Sequence, residues 1–396
     1  MEGLLSHPEK LLINHLGEVA TIANATVAIE GFDFSLSNGM GITSKQLTDL
    51  VWIAGAFHDL AKATSYFQAY IRDPEGTHNH LKNHARLSSI FAYYVANRYC
   101  MLEINNKPLA ELLPYLVLIA VKRHHGNIEN LERELIFDDI QIENLSNQIQ
   151  NIDSFQVEPI IHKLLVNIPV NATWKEFVEF WETKIFQTQL KDFRFLTFKF
   201  TYPKINKQTR TALFYLFQVI YSSLMYADKN DVILEDVKVS ETSTDITAQL
   251  EGYRERKGFN NARSKIDELK NEAYFNSLEN LEKVFIHEQH IYSLTLPTGL
   301  GKTITAYAIA DKLRNITGNP TSKIIINIPF TSIIDQNFEV YRQVLGTDSS
   351  QVLLKHHHLA EPAYKDSSER VYDFDKSQFL IETWQSETVV TTFVQF

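Results

Sequence analysis

Apolar residues recur at intervals of three and four along the first half of this chain, and the periodicity is lost near residue 240. Leu47, Leu50, Val51 and Ala54 follow this spacing, which returns between residues 213 and 224. Such spacing places apolar side chains on one face of an α-helix. The region from about residue 4 to residue 228 is therefore predicted to be mostly α-helical.

The second half of the chain has a different pattern, in which short β-rich runs alternate with helical segments. The runs cover residues 291–296, 323–329 and 388–392, and helices are predicted over 302–315 and 332–345. Strands that alternate with helices are typical of a parallel sheet. We predict a multidomain protein with an all-α domain over residues 1–240, a charged helical connector over 241–285 and an α/β unit over 286–396.

Composition narrows the classes of protein to consider. With 44% hydrophobic residues the chain can bury a substantial core, and a net charge of −10 argues against general adhesion to nucleic acid while allowing a local basic groove. Cys100 is the single cysteine, so any metal must be bound by His, Asp and Glu. The longest apolar stretch, residues 112–121, contains Pro114 and is too short to span a bilayer, which predicts a cytoplasmic protein without a membrane partner.

A His-Asp pair in the first half is the first candidate for chemistry. His58 and Asp59 are adjacent on a predicted helix, and Lys62 follows them at spacings of four and three, on the same face. An imidazole gives one metal bond, whereas the two oxygens of a carboxylate can bridge two divalent ions. A single His-Asp pair also occurs often by chance on an ordinary helix surface.

Five further His and Asp residues lie in or at the ends of predicted apolar helices. They are His15, His84, His124, His125 and Asp228. Asp228 follows the apolar run 214–227 and needs a partner if it is buried, which a metal would supply. Each residue alone could equally be a capping or surface residue, so the evidence lies in the set. A run of three histidines at 356–358 also resembles a metal-binding tract, but we assign it to a solvated loop.

The order and spacing of these residues resemble the HD-nuclease domain of the CRISPR-associated type I helicase–nuclease, over about residues 10–235. The resemblance implies an all-α HD-type nuclease domain that degrades foreign DNA in antiviral defence. It also implies two metal sites that share Asp59. His15, His58, Asp59 and Asp228 would bind one ion, and His84, His124 and His125 would bind a second, with Asp59 bridging the two.

His84 is one of three histidines in this part of the sequence. His78 and His80 lie close by and are the alternatives. We prefer His84 because the family motif opens a helix with small residues following it, as Ala85 and Ser88 do here.

The chemistry implied by the resemblance is metal-assisted hydrolysis of a phosphodiester. His58 and Asp59 would act with the ions, and Lys62 would contact the scissile or a neighbouring phosphate, its alternative role being that of a surface lysine. Ligation rich in histidine should favour Mn²⁺, Co²⁺ or Ni²⁺ over Mg²⁺, which prefers oxygen ligands.

A glycine loop lies between a predicted strand and a predicted helix in the second half. Such a loop directs backbone N–H groups at phosphates, while Lys302 reaches the terminal phosphates and Thr303 can hold Mg²⁺. Leu296 replaces the first glycine of the general motif, and the form over 297–303 resembles the variant of superfamily 2 helicases. The resemblance implies ATP bound with Mg²⁺ by Thr298, Gly299, Gly301, Lys302 and Thr303.

Two later segments, 328–336 and 391–396, resemble DNA-contacting motifs of the type I CRISPR helicase, and both could equally be plain strand-to-helix connections. The sequence stops before a strand rich in Asp and Glu and before a second lobe. We therefore expect a partial RecA-like lobe with a parallel sheet. ATPase and helicase activity are expected of the complete protein and not of this chain.

Together these features predict a metal-dependent nuclease that cleaves single-stranded DNA and has the CRISPR RNA-guided surveillance complex (Cascade) as its partner. An HD phosphohydrolase acting on nucleotides would use the same metal ligands, but it has no reason to carry a helicase segment. A second alternative is a non-catalytic, metal-stabilised module that docks on the surveillance complex.

Overall fold

The computed structural model describes residues 3–32, 34, 41–76, 79–192, 207–233, 244–360, 362–368 and 370–395. The chain divides into two compact units, Met1–Glu235 and Asp236–Phe396. The first unit contains all seven candidate metal ligands, and the second contains the glycine loop and the three histidines at 356–358.

The first unit is built almost entirely of helices, as the periodicity predicts. Its helices are α1 (Leu12–Glu30), α2 (Ser44–Phe57), α3 (Ser65–Arg72), α4 (Ala85–Glu103), α5 (Lys107–Lys122), α6 (Leu131–Leu135), α7 (Asp139–Gln150), α8 (Ser154–Leu165), α9 (Trp174–Glu182), α10 (Ile185–Lys191) and α11 (Lys207–Ile233). Two 3-10 turns cover Leu60–Ala63 and His80–Lys82. An antiparallel hairpin of β1 (Leu5–His7) and β2 (Lys10–Leu11) precedes α1 and pairs His7 with Lys10.

The core of this unit forms where α4 packs on α5 and where α1 packs on α2 and α11. The longest apolar stretch of the sequence lies within α5, and its residues, Pro114 included, are buried in this core. Cys100 lies on α4 with 0% exposure, and burial raises the pKa of its thiol far above the ordinary value. None of the helices among the described residues combines the length and apolar character needed to cross a membrane.

Local sequence signals set where several of these helices begin. Thr43 starts α2, Asp138 starts α7 and Thr173 starts α9, each through a capping box in which the side chain accepts a backbone N–H of the first turn. A cap of this kind stabilises a helix by about 1 kcal/mol. The cap at Thr43 begins the helix that leads directly to the His-Asp pair.

The second unit is an α/β structure with a parallel sheet, which confirms the predicted fold class. Its helices are α12 (Ile246–Arg256), α13 (Lys265–Val284), α14 (Lys302–Ile316), α15 (Thr331–Leu345) and α16 (Phe374–Glu382). Its strands are β3 (Ile324–Asn327), β4 (Leu353–His356) and β5 (Thr388–Thr391). They pair in the order β3-β5-β4, with both pairings parallel, so β5 is central and its residues are buried.

The helices α12 and α13, which fall in the segment expected to be a connector, take part in the core of this unit. Ile246, Leu250 and Tyr253 of α12 and Tyr274 of α13 are buried in one apolar cluster with residues of α14, α15 and the sheet. These two helices therefore pack as part of the α/β unit.

Two of the sequence-based predictions for the second unit are wrong, and the strand β4 was not predicted at all. The strand expected over 291–296 does not form, because this segment pairs with none of the described strands and Ile291 is 84% exposed. The three histidines at 356–358 do not lie together in a solvated loop. His356 ends β4 and accepts a hydrogen bond from Trp384 Nε1 at 2.7 Å, and His357 is 6% exposed.

Candidate metal centre

Tight packing of α2 against α1 brings the His-Asp pair deep into the first unit. At Gly55 an added Cβ would lie 2.8 Å from the Cα of Ala20, so the approach of the two helices requires glycine. The helix ends at Phe57, and His58 is its C-cap residue. His58 and Asp59 are both fully buried.

Asp59 and Lys62 lie beyond the end of α2, so the prediction that they share one helix with His58 is wrong. The backbone leaves the helical region at Asp59 (φ −119°, ψ 13°), and Lys62 lies in the 3-10 turn that follows. This turn still places Lys62 Nζ 2.7 Å from Asp59 Oδ2. Lys62 is 4% exposed, which is not a surface position.

The Asp59 carboxylate lies at the centre of a cluster of imidazoles. Its Oδ1 is 2.9 Å from His84 Nε2 and 3.2 Å from His124 Nε2. Its Oδ2 is 3.2 Å from His15 Nε2 and 3.5 Å from His58 Nε2. Each carboxylate oxygen therefore faces a different pair of rings, which is the arrangement that a bridging carboxylate needs.

Two groups of potential ligand atoms result, with the atoms of each group within 4.8 Å of one another. The first ligand group consists of His15, His58, Asp59 and Asp228. The second ligand group consists of Asp59, His84, His124 and His125. The structure thus brings together all the residues that the resemblance implied, in the same two groups. The first is largely buried, and the second reaches the surface through His125.

Backbone carbonyls fix the orientation of two of the rings. His58 Nδ1 lies 2.7 Å from the carbonyl oxygen of Gly55, and His124 Nδ1 lies 2.5 Å from that of Val121. A carbonyl oxygen only accepts hydrogen bonds, so Nδ1 of each ring carries the proton. In the neutral ring the Nε2 lone pair is then directed at the carboxylates.

This donor set fits divalent metal ions. His84 Nε2 and His125 Nε2 lie 3.1 Å apart, and His58 Nε2 lies 3.3 Å from Asp228 Oδ1. Lone pairs at such distances repel unless a proton or a cation lies between them. Imidazole nitrogens combined with carboxylate oxygens are ligands that suit transition ions.

The surroundings of Asp59, His84 and His125 favour the protonation states that bind metal. Burial raises the pKa of Asp59, but His58, His84 and Lys62 outweigh it and hold that pKa well below its usual range. Burial lowers the pKa of His84, and with a nearby imidazole it lowers that of His125 to about 4. Ionised carboxylates and neutral imidazoles are the forms that metals bind.

The structure also separates His84 from its neighbours in sequence. His84 is the residue before the first turn of α4 and contacts Asp59. His80 lies in a 3-10 turn, where its Nε2 is 3.3 Å from Asn144 Oδ1, outside both ligand groups. His78 lies outside the described residues.

A second aspartate of α11, Asp231, reaches the site and is not among the residues predicted from the sequence. The prediction that Asp228 lies at the end of its helix is wrong, because α11 continues to Ile233. Asp231, one turn further, is 5% exposed, and its Oδ2 lies 2.5 Å from His15 Nδ1. Its Oδ1 lies 2.7 Å from Lys10 Nζ. The signal in the sequence was the spacing of three from Asp228, which places both carboxylates on one helix face.

His15 and Asp231 shift each other's pKa as an ion pair does. Burial raises the pKa of Asp231, but His15, Glu18 and Lys10 together lower it to about 2. Burial lowers the pKa of His15, but Asp231 and Asp59 outweigh it and raise that pKa above its ordinary value.

The glycine loop of the second unit ends at the N-terminus of α14. Gly299 (φ +88°) and Gly301 (φ +78°) adopt the left-handed conformation that strains other residues. Gly301 precedes the first helical residue, Lys302, and Thr303 Oγ1 donates to Asn337 Oδ1 at 3.0 Å. Backbone N–H groups at a helix N-terminus favour phosphate binding. The assignment of individual ATP-binding residues here stays a prediction.

Comparison with known proteins identifies the class of each part. Residues 6–188 match the family described as Cas3, HD domain. Residues 263–392 match the family described as type III restriction enzyme, res subunit, which is a helicase family. The chain therefore joins an HD-type domain to a helicase-type segment. The first match ends before Asp228, so the place of Asp228 in the cluster rests on the structure.

A curated relative extends across both parts. The CRISPR-associated nuclease/helicase Cas3 of Haloferax volcanii is 27% identical over 370 residues, which are 87% of this chain and 38% of that protein. The resemblance to the CRISPR-associated type I helicase–nuclease is thus confirmed. The chain spans 38% of the length of this relative.

Solved structures of Cas3 proteins are similar to this chain at low identity. The crystal structure of T. fusca Cas3-ATP is 15% identical with a TM-score of 0.49, covering 98% of this chain and 42% of that one. The CRISPR-associated Cas3 HD domain protein of Methanocaldococcus jannaschii is 14% identical with a TM-score of 0.32, covering 57% of this chain and 100% of that one.

Proposed function

We propose that this chain is a metal-dependent nuclease that cleaves single-stranded DNA in type I CRISPR interference, and that it is joined to part of an ATP-dependent helicase motor. The observation that carries the proposal is the pair of ligand groups that share the buried carboxylate of Asp59. The matches to Cas3 proteins support a DNA substrate and a CRISPR surveillance complex, Cascade, as the partner.

The proposed roles follow from where each side chain lies. One ion would be held by His15, His58, Asp59 and Asp228, and a second by Asp59, His84, His124 and His125. Divalent ions there would supply Lewis acids that activate a water molecule and neutralise charge on the leaving oxygen. The Lys62 ammonium lies 2.7 Å from Asp59 Oδ2 and compensates the charge of that carboxylate, and it would contact the scissile or a neighbouring phosphate. The many imidazoles favour Mn²⁺, Co²⁺ or Ni²⁺ over Mg²⁺.

The second unit would bind nucleotide independently of this chemistry. The residues proposed to hold the phosphates of ATP with Mg²⁺ are Thr298, Gly299, Gly301, Lys302 and Thr303. Every proposed ligand of the two ions lies in the first unit, so DNA cleavage should need no nucleotide.

Circular single-stranded DNA is the substrate that tests the proposal, because it has no ends and only a nuclease linearises it. We expect the chain to linearise it with Mn²⁺, Co²⁺ or Ni²⁺ and to stop when EDTA is added. Asp228→Asn should abolish cleavage. The matched control, Asp139→Asn, changes an aspartate whose side chain is 88% exposed and should cleave normally.

Three results would contradict the proposal. Cleavage by Asp228→Asn at the wild-type rate would show that the metal centre takes no part in the chemistry. Hydrolysis of free nucleotides with the DNA left intact would favour the HD phosphohydrolase. Bound metal with neither activity would favour the docking module.

A further inference from the structure

The rings of His15, His58 and His124 are each oriented by a contact at Nδ1, but the kind of partner differs. His58 and His124 each donate from Nδ1 to a carbonyl oxygen three residues earlier in the chain. His15 instead places Nδ1 2.5 Å from a carboxylate oxygen of Asp231. His15 is also 0% exposed, so water does not compete for this contact.

The Asp231 carboxylate is itself held at both oxygens. Oδ2 contacts His15, and Oδ1 accepts a hydrogen bond from Lys10 Nζ at 2.7 Å. Lys10 lies on β2 and also pairs with Glu18 Oε2 at 2.8 Å. These contacts fix Asp231 between the N-terminal hairpin and α1. The same face of α11 supplies Asp228 to the first ligand group one turn earlier.

We propose that Asp231 is the positioning residue of the first ligand group, holding His15 with Nδ1 protonated so that Nε2 is directed at the metal. The inference rests on the metal-dependent function proposed above. A carboxylate at Nδ1 fixes the ring and makes Nε2 a stronger donor than a carbonyl does. His15 belongs to the first ligand group alone, so the effect is confined to one of the two ions.

Metal binding to purified chains, measured by calorimetry with Mn²⁺ and with Co²⁺, tests the inference without reference to cleavage. Removing a carboxylate behind a ligating histidine typically costs about 10–100-fold in metal affinity. We expect Asp231→Ala to weaken the binding of one ion by about this factor and to leave the affinity for the other ion unchanged. Asp231→Asn should have a smaller effect, because its amide oxygen can still accept from Nδ1 as the carbonyl oxygens do for His58 and His124.

Glu18→Gln is the matched control, because Glu18 contacts Lys10 in the same network and its side chain is 55% exposed. It should leave both affinities unchanged. The inference is overturned if Asp231→Ala binds both ions with wild-type affinity or if it weakens the binding of both ions equally. It is also overturned if Glu18→Gln weakens the binding of the same ion as strongly as Asp231→Ala does.

The ¹⁵N NMR spectrum of the histidine rings in the metal-free wild type provides a second measurement that needs no folded Asp231 variant. The His15 resonances are assigned by their loss in His15→Gln. Protonation at Nδ1 supports the inference, and protonation at Nε2 alone overturns it. If Asp231→Ala loses one ion while the wild type binds two ions yet leaves circular DNA intact, the inference stands and the proposed nuclease function fails.

Discussion

Replacing Asp59 with alanine is expected to remove both metal ions and to leave a lysine in the interior without its carboxylate. Asp59 belongs to both ligand groups, so its loss leaves each group without the shared oxygen ligand. Lys62 Nζ lies 2.7 Å from Asp59 Oδ2, and the two side chains are 6% and 1% exposed. Removing one partner of such a buried pair costs about 3–5 kcal/mol.

A loss of this size has a measurable consequence for the metal-free protein. At about 2–4 °C per kcal/mol for a unit of roughly 200 residues, the melting temperature of the first unit should fall by about 6–20 °C. The fold itself should be kept, because the helices pack through other faces. Asp59→Ala combined with Lys62→Met should recover most of this loss, since no ammonium is then left without a partner, but it should not recover the metals.

Three assays on the same preparations check this reasoning. Elemental analysis counts the ions per chain, scanning calorimetry in EDTA gives the melting temperature, and linearisation of circular single-stranded DNA reports cleavage. We expect two ions for the wild type and none for either variant. Two ions bound to Asp59→Ala would refute the bridging role. Equal melting temperatures for the single and double variants would refute the energetic argument.

Three further predictions concern other parts of the chain. His84→Ala should impair cleavage of single-stranded DNA far more than His80→Ala, because only His84 contacts Asp59; the reverse ranking would show that the wrong histidine was chosen. Lys302→Ala should weaken ATP binding, measured by fluorescent nucleotide titration, while metal-dependent cleavage continues at the wild-type rate; loss of cleavage in a folded variant would contradict the independence of the two units. Burial lowers the pKa of His7 from its ordinary 6.5 to about 4, so between these values the unfolded chain takes up a proton that the folded chain does not. The free energy of unfolding of the metal-free protein should therefore fall as the pH drops from 6.5 to 4, and in urea unfolding His7→Gln should show a shallower fall. Identical slopes of this free energy against pH in the two proteins would contradict the prediction.

The sequence predicted the helical first unit and pointed to the seven clustered His and Asp residues because both depend on local pattern. Apolar spacing identified the helices, and His84 and His124 could be found because each stands at the end of one of them. The grouping of the ligands was available only through family resemblance, because residues as far apart as His15 and Asp228 meet through helix packing that no local pattern contains.

The errors have the same physical origin. Residues 291–296 look like a strand, but a strand also needs a neighbour for its ladder, and this segment pairs with none of the described strands. The strand β4 was missed because Lys355 and His356 make its sequence look polar, whereas pairing with the buried central strand β5 determines its conformation. Asp231 was passed over because its spacing of three from Asp228 places it on the same helix face but does not show that this face packs against His15.

The reactivity of the buried Cys100 thiol can report the unfolding of the first unit. Because it is the single cysteine of the chain and lies within the core helix α4, a thiol reagent can reach it only when that core opens. The rate of labelling at low reagent therefore measures the opening free energy of the unit that contains the candidate metal centre, whatever the second unit does. A dye or spin label attached to a cysteine introduced at the surface would meanwhile have no native thiol to compete with it.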